Sequence, residues 1–175
     1  MRFKIIFFSI LALHLFLTGC ATSPERRADI PIPMPEEFDL YLCKSINTEA
    51  ITTGKFAGKQ LFVSAGEVTN EFIVGNGRNA YAIAHWFDLV PKAEYEFKFK
   101  WLLPDGRTAG VKKVKQKVLS SDWVVHNHLN LDLKYNLPSG IWTLHVYVNA
   151  KPAGAKKFII ARDEQELKTF RNRME

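Results

Sequence analysis

His126-Asn127-His128 sets two imidazoles two residues apart. On a β-strand that spacing turns both rings to one face, where neutral ring nitrogens can share a single ion. Asp132 falls on the same face, four residues beyond His128, and a third ligand would have to come from His85 or His145 on a neighbouring strand. The alternative is a pair of solvent-facing histidines that hold nothing. A second feature is the run VKKVKQKVL, in which Lys112, Lys113, Lys115 and Lys117 gather cations able to attract an anionic polymer or lipid. That attraction fades over about 10 Å at 0.1 M salt. The competing reading is an edge strand kept from pairing by its lysines. Signals for turnover are weaker. There is no Gly-x-Ser-x-Gly elbow, Cys43 has no base near it in sequence, and Ser120-Ser121-Asp122 reads as a polar lead-in to a strand. HExxH, P-loop and EF-hand patterns are missing, and GNGRN, Gly75 to Asn79, lacks the strand-to-helix setting of a phosphate cradle and reads as a turn. The expectation is a protein that is not an enzyme and holds no dissociable cofactor.

The N-terminus carries the sharpest signal. Arg2 and Lys4 precede an apolar block from Ile5 to Leu17, followed by the small residues Thr18 and Gly19. Thirteen residues span roughly 20 Å as a helix, short of the roughly 30 Å hydrocarbon core, so the pattern fits a secretory signal and not a permanent span. Leu17-Thr18-Gly19-Cys20 resembles the lipobox of bacterial lipoprotein precursors: an aliphatic residue, two small residues and an obligatory cysteine. The resemblance implies that Cys20 receives a diacylglycerol thioether, becomes the first residue of the mature chain and is acylated on its new amine. Each buried methylene of such chains contributes about 0.8 kcal/mol to membrane attachment. In that family an Asp after the cysteine retains the protein in the inner membrane. Ala21 stands there instead, which implies an outer-membrane anchor facing the periplasm.

Removing residues 1–19 from the 175 leaves 156, enough for one domain with a sizeable core. Of the net charge of +6, Arg2 and Lys4 carry two, so +4 remains. An exported chain does not meet nucleic acid, which leaves anionic lipid, lipopolysaccharide or cell-wall polymer as charged partners, or a plain lysine-bearing surface with none. With Cys20 acylated, only Cys43 is left, and no intrachain disulfide can form. Cys43 is either a small buried apolar group or available for intermolecular pairing.

Residues 20–36 hold Pro24, Pro31, Pro33 and Pro35 and read as an extended tether, with the body of the protein at 37–162. There the hydrophobic period is two. In EYEFKFKWLL, Tyr95, Phe97, Phe99, Trp101 and Leu103 share a face; in WVVHNHLNLDL, Trp123, Val125, Leu129, Leu131 and Leu133 do, with Asn127 the one polar residue among them. Both strands are expected to cover one side of the core. IWTLHVYV and KKFIIAR follow as a pair, and NAKPAGA offers Pro and Gly for the turn between them; LLPDGRT offers another turn. FDLYLC, QLFVSA, EFIVG and AYAIAHWFDL complete the strands.

The pattern predicts an all-β, antiparallel sandwich of seven or eight strands. The stretch from Trp86-Phe87-Asp88 through LPSGIWTLHVYVNAKPAGAKKFII resembles immunoglobulin-like domains of bacterial envelope proteins, in which a Gly-x-Trp strand turns into a final Phe-rich strand, as Gly140, Trp142 and Phe158 would do. Residues 163–175 change period: Asp163 caps a short helix with Glu166 three residues on, acids lead, and Lys168, Arg171 and Arg173 trail. Its stripe of Leu167, Phe170 and Met174 should close an edge or end of the sandwich, or dock a partner. The function expected is a lipid-anchored envelope module that binds or scaffolds a protein, a glycan or an anionic envelope component. Metal binding through His126 and His128 is one alternative and a hydrolase another.

Overall fold

The computed structural model describes residues 32–35, 37–50 and 61–174. The expected signal segment, Cys20 and most of the expected tether lie outside them. Ten strands and one α-helix follow in order: β1 (Phe38–Cys43), β2 (Ile46–Ala50), β3 (Leu61–Ala65), β4 (Glu71–Ile73), β5 (Asn79–Trp86), β6 (Glu94–Leu102), β7 (Thr108–Lys117), β8 (Trp123–Asn130), β9 (Gly140–Val148), β10 (Lys151–Ala161) and α1 (Glu164–Met174). Eight of the strands make two sheets, ordered β1-β5-β8 and β4-β10-β9-β6-β7, while β2 and β3 pair only with each other.

That order is immunoglobulin-like. β1, β5 and β8 occupy the A, B and E positions of one sheet, β6, β9 and β10 the C, F and G positions of the other, and β7 extends the second sheet beside β6. The pairing departs from a purely antiparallel sandwich in one place. After leaving β1 the chain makes the β2–β3 hairpin, crosses to the opposite sheet and runs as β4 parallel to β10. β2, with its Asn-Thr-Glu centre, has no alternating apolar signal and was not legible as a strand.

The core forms because the two inner faces are complementary in size. β5 presents Ala80, Ala82 and Ala84, all fully buried, and opposite them the five-stranded sheet presents Tyr95, Phe97, Phe99, Trp101, Trp142 and Phe158. Small residues on one layer leave room for rings on the other, which is how close packing is reached without voids. Phe158 sits among Trp101 (5.6 Å, edge-on), Phe72 (5.9 Å, edge-on) and Trp142 (6.1 Å). Contrary to the sequence expectation, β6 and β8 face each other from opposite sheets instead of covering the same side. Two-residue alternation reports which side chains are buried and carries no information on which sheet buries them.

Three of the four core indoles find an acceptor, while Trp86 Nε1 is buried without one. Trp101 Nε1 donates to Asn127 Oδ1 at 3.0 Å, Trp123 Nε1 to Gln116 Oε1 at 2.9 Å, and Trp142 Nε1 to the Pro138 carbonyl at 3.0 Å. Asn127, the polar residue on an apolar face, is thus the acceptor for a buried indole of the opposing sheet. Leu133 is corrected: β8 ends at Asn130, a 3-10 turn over Leu133–Tyr135 begins after Asp132 caps it, and Leu133 is 58 % exposed.

The β9–β10 turn also differs from expectation. Val148 pairs with Lys151, so Asn149 and Ala150 alone make the turn, at φ 48° and 65°. Two positive φ values are what a two-residue hairpin matching the strand twist requires. Pro152 and Gly154 lie inside β10 at a bulge, where a Cβ on Gly154 would come 2.7 Å from Phe38 Cζ. Phe38 is itself stacked on Trp86 at 4.6 Å. Ile32 and Met34, placed by sequence in the tether, pack against the core.

Helix α1 is capped as expected: Asp163 Oδ1 accepts from the Gln165 and Glu166 amides, both at 2.9 Å, and Glu166 reaches back to the Arg162 amide. Its stripe covers the outer side of the five-stranded sheet, where Leu167, Phe170 and Met174 meet Ile141, Ile159 and Ala161. Arg171 then grips Glu71 of β4 through two hydrogen bonds of 2.6 Å. Among the described residues no helix is long and apolar enough to cross a membrane.

Candidate functional site

The lysine strand lies at an edge: β7 is the last strand of its sheet. Its register against β6 sorts the four lysines. Lys113, Lys115 and Lys117 stand opposite Lys98, Glu96 and Glu94, whose side chains alternate away from the buried Tyr95, Phe97 and Phe99, so they face outward. Lys112 stands opposite buried Phe99 and turns to the core side, at the rim. The expected patch of Lys112, Lys113, Lys115 and Lys117 is therefore divided, and three of the four remain on one face.

That face gains cations from two further strands. Lys98 and Lys100 of β6 lie beside Tyr147 and His145 of β9, and Lys157 of β10 stands opposite Thr143 one step further along the same face. Six lysines therefore share the outer side of the five-stranded sheet with three glutamates, Glu94, Glu96 and the Glu71 that Arg171 holds.

The rows differ in how that charge is met. Glu96 opposite Lys115 and Glu94 opposite Lys117 are complementary pairs, but Lys98 opposite Lys113 sets like charges directly across a ladder, which is destabilising. The strain is spread rather than removed. Lys98 Nζ lies 3.6 Å from the centre of the Tyr147 ring, and Lys113 Nζ reaches Glu96 at 3.6 Å. His145 and Tyr147 stack at 6.4 Å and 30°, so two half-buried rings run down the middle of the face with the Lys98 and Lys100 ammonium groups along their β6 side. Paired strands stand about 4.8 Å apart, so these cations lie within a Debye length of one another and act on a ligand together.

The histidine pair lies elsewhere. His126 and His128 are on the outer side of the three-stranded sheet, opposite Ile83 and Tyr81 of β5, as their spacing implied. Neither expected third ligand joins them. His145 belongs to the far side of the sandwich, and His85, on the same side, is held by Asp122 and lies against the Phe87 ring at 4.3 Å, tilted by 42°. Asp132 caps the 3-10 turn beyond the strand. Among the described residues no three His, Cys, Asp or Glu groups come together as an ion site. Burial against the sheet, with repulsion from His128, holds the His126 pKa below its ordinary value.

Cys43 is fully buried and unpaired, and burial pushes its thiol pKa up, which removes it from intermolecular pairing in the folded protein. Gly75 to Asn79 is a turn closed by the Arg78 amide on the Gly75 carbonyl. Beside it lies a groove of about 580 Å³ whose charges answer each other, Lys44 with Glu67 and Arg171 with Glu71; no serine, cysteine or histidine lines it. A second groove, of about 400 Å³ and mostly apolar, runs between β3 and the outer side of the three-stranded sheet, past Tyr41, Val68, Ile83 and Val124.

No family model and no curated protein matches the sequence. Among solved structures, an immunoglobulin-like protein from Pseudomonas aeruginosa is similar at 13% identity and a TM-score of 0.41, over 70% of this chain and 97% of that one. The immunoglobulin-like assignment stands on this chain's own strand order, described above.

Proposed function

We propose that this chain is an acylated envelope lipoprotein, anchored through Cys20, whose sandwich binds an anionic glycan on the outer side of its five-stranded sheet. The observation that carries the binding half is the cluster of Lys98, Lys100 and Lys113, with Glu96 the one carboxylate paired to it, beside the Tyr147 and His145 rings. Rings offer flat apolar area to a sugar face, while ammonium groups in the next positions meet carboxylate or phosphate. The anchor half rests on the lipobox-like Leu17-Thr18-Gly19-Cys20, and Ala21 favours the outer membrane facing the periplasm. The reading is of binding without turnover, since the charged face holds no nucleophile beside a base.

The test uses the full chain in detergent micelles against immobilised lipopolysaccharide, at low and high salt. Replacing Lys98, Lys100 and Lys113 together by Ala should weaken binding at least about tenfold, equivalent to about 1.4 kcal/mol, and flatten its salt dependence. Lys112→Ala, on the other side of the sheet, should leave it unchanged. Equal loss from Lys112→Ala, or none from the triple variant, overturns the assignment. Mass spectrometry should find the mature chain beginning at an acylated Cys20.

A further inference from the structure

The four edges of the two sheets are not treated alike. β7 carries lysines; β4 is three residues long with Arg171 of α1 bonded to it; β1 is met by Lys156, whose Nζ donates to the Leu40 carbonyl at 2.9 Å. These are the usual defences of an exposed edge: charge, brevity and cover. β8 has none of them. Its eight residues, Trp-Val-Val-His-Asn-His-Leu-Asn, include no charged side chain, proline or glycine, and its ladder with β5 runs without a bulge from Asn79↔Asn130 to Trp86↔Trp123. Among the described residues nothing pairs with its outward backbone groups.

The same strand holds the two histidines that lack a third ligand. We infer that β8 pairs antiparallel with β8 of a second copy about a two-fold axis at Asn127, and that His126 and His128 of both copies bind one zinc-class divalent ion between them. Outer faces must meet outer faces across such an axis, so pairs join residues of the same parity. Centring on Asn127 sets His126 of each copy opposite His128 of the other. Directly opposed Cβ atoms lie about 5 Å apart, and residues two apart on a strand about 7 Å. Four imidazoles at the corners of that rectangle can converge on one ion at about 2.0–2.1 Å, in the four-coordinate arrangement zinc favours. The second copy is the occupant the structure selects: an ordinary peptide would satisfy the edge but leave both histidines short of ligands, whereas β8 itself supplies the missing pair. The inference is independent of the glycan face, which lies on the other sheet.

The test is a zinc titration of the full chain in detergent micelles, read by light scattering for protein mass and by calorimetry for stoichiometry. One zinc per two chains should double the mass, and EDTA should restore the monomer. His126→Asn and His128→Asn should each weaken zinc binding about tenfold or more and abolish the doubling while keeping the wild-type sheet signal in circular dichroism. The double variant Val124→Cys with Asn130→Cys reads the register, because these positions face each other across the proposed axis: oxidation with zinc should yield a cross-linked dimer. One zinc per monomer, no zinc binding, a dimer that survives EDTA and both Asn variants, or no cross-link in a zinc-loaded dimer each overturns the inference.

Discussion

The hydrogen bond from Trp101 to Asn127 spans the two sheets and can be isolated by a double-mutant cycle. Trp101 is 2 % exposed, so in Asn127→Leu its Nε1 proton loses its acceptor at 3.0 Å without access to water. An orphaned buried donor costs about 1–3 kcal/mol. Leucine returns part of that, roughly 1 kcal/mol, by adding apolar area on a half-buried position. Asn127→Leu alone should therefore destabilise by about 0–2 kcal/mol. Trp101→Phe alone removes the donor along with ring volume and should cost about 1–3 kcal/mol through the space it leaves. In Trp101→Phe/Asn127→Leu there is no donor to orphan, so the leucine should cost nothing or stabilise. The coupling energy should reach about 1–3 kcal/mol, read from urea unfolding followed by far-ultraviolet circular dichroism, with about 2–4 °C of Tm for each kcal/mol. Additivity within about 0.3 kcal/mol would refute the reasoning, because contacts without shared partners behave that way.

Two further outcomes follow from single contacts. Gly154→Ala should destabilise by about 1–3 kcal/mol, since its Cβ would press on a Phe38 ring already stacked on Trp86, and Phe38→Ala in the same chain should relieve most of that excess in thermal unfolding. Hydrogen bonds from Arg171 hold the Glu71 carboxyl below the usual carboxylate range, so its contribution is full above about pH 4.3, the ordinary glutamate value, and is lost as pH falls through the lowered one. Hydrogen exchange in α1 should accelerate over that acid window in the wild type and show a smaller pH dependence there in Glu71→Gln.

Much of the architecture was legible because it rests on local periodicity. The alternation in EYEFKFKWLL and IWTLHVYV separates a wet side from a dry one, and both reappear as β6 and β9 with every second residue buried. The Asp163 to Glu166 spacing likewise specifies a helix start that needs nothing beyond the next turn. What failed was non-local. NAKPAGA looked like the turn because Pro and Gly usually make turns, yet the glycine answers to Phe38, over a hundred residues away in sequence. Asn127 looked out of place because its partner, Trp101, belongs to the opposite sheet.

The same division governs function. By itself the sequence determined the lipobox-like tetrapeptide, the surplus of lysine and the shared face of His126 and His128, because each depends only on residue identity and a two-residue repeat. Which lysines stand together was decided by tertiary structure, since strand register brought Lys98 and Lys100 beside Lys113 and turned Lys112 away. Strand order likewise decided that β8 is an open edge while β7, β4 and β1 are guarded. Register and strand order are set by how aromatic rings and alanines of distant segments fill one core, a property of the closed sandwich that no single segment contains.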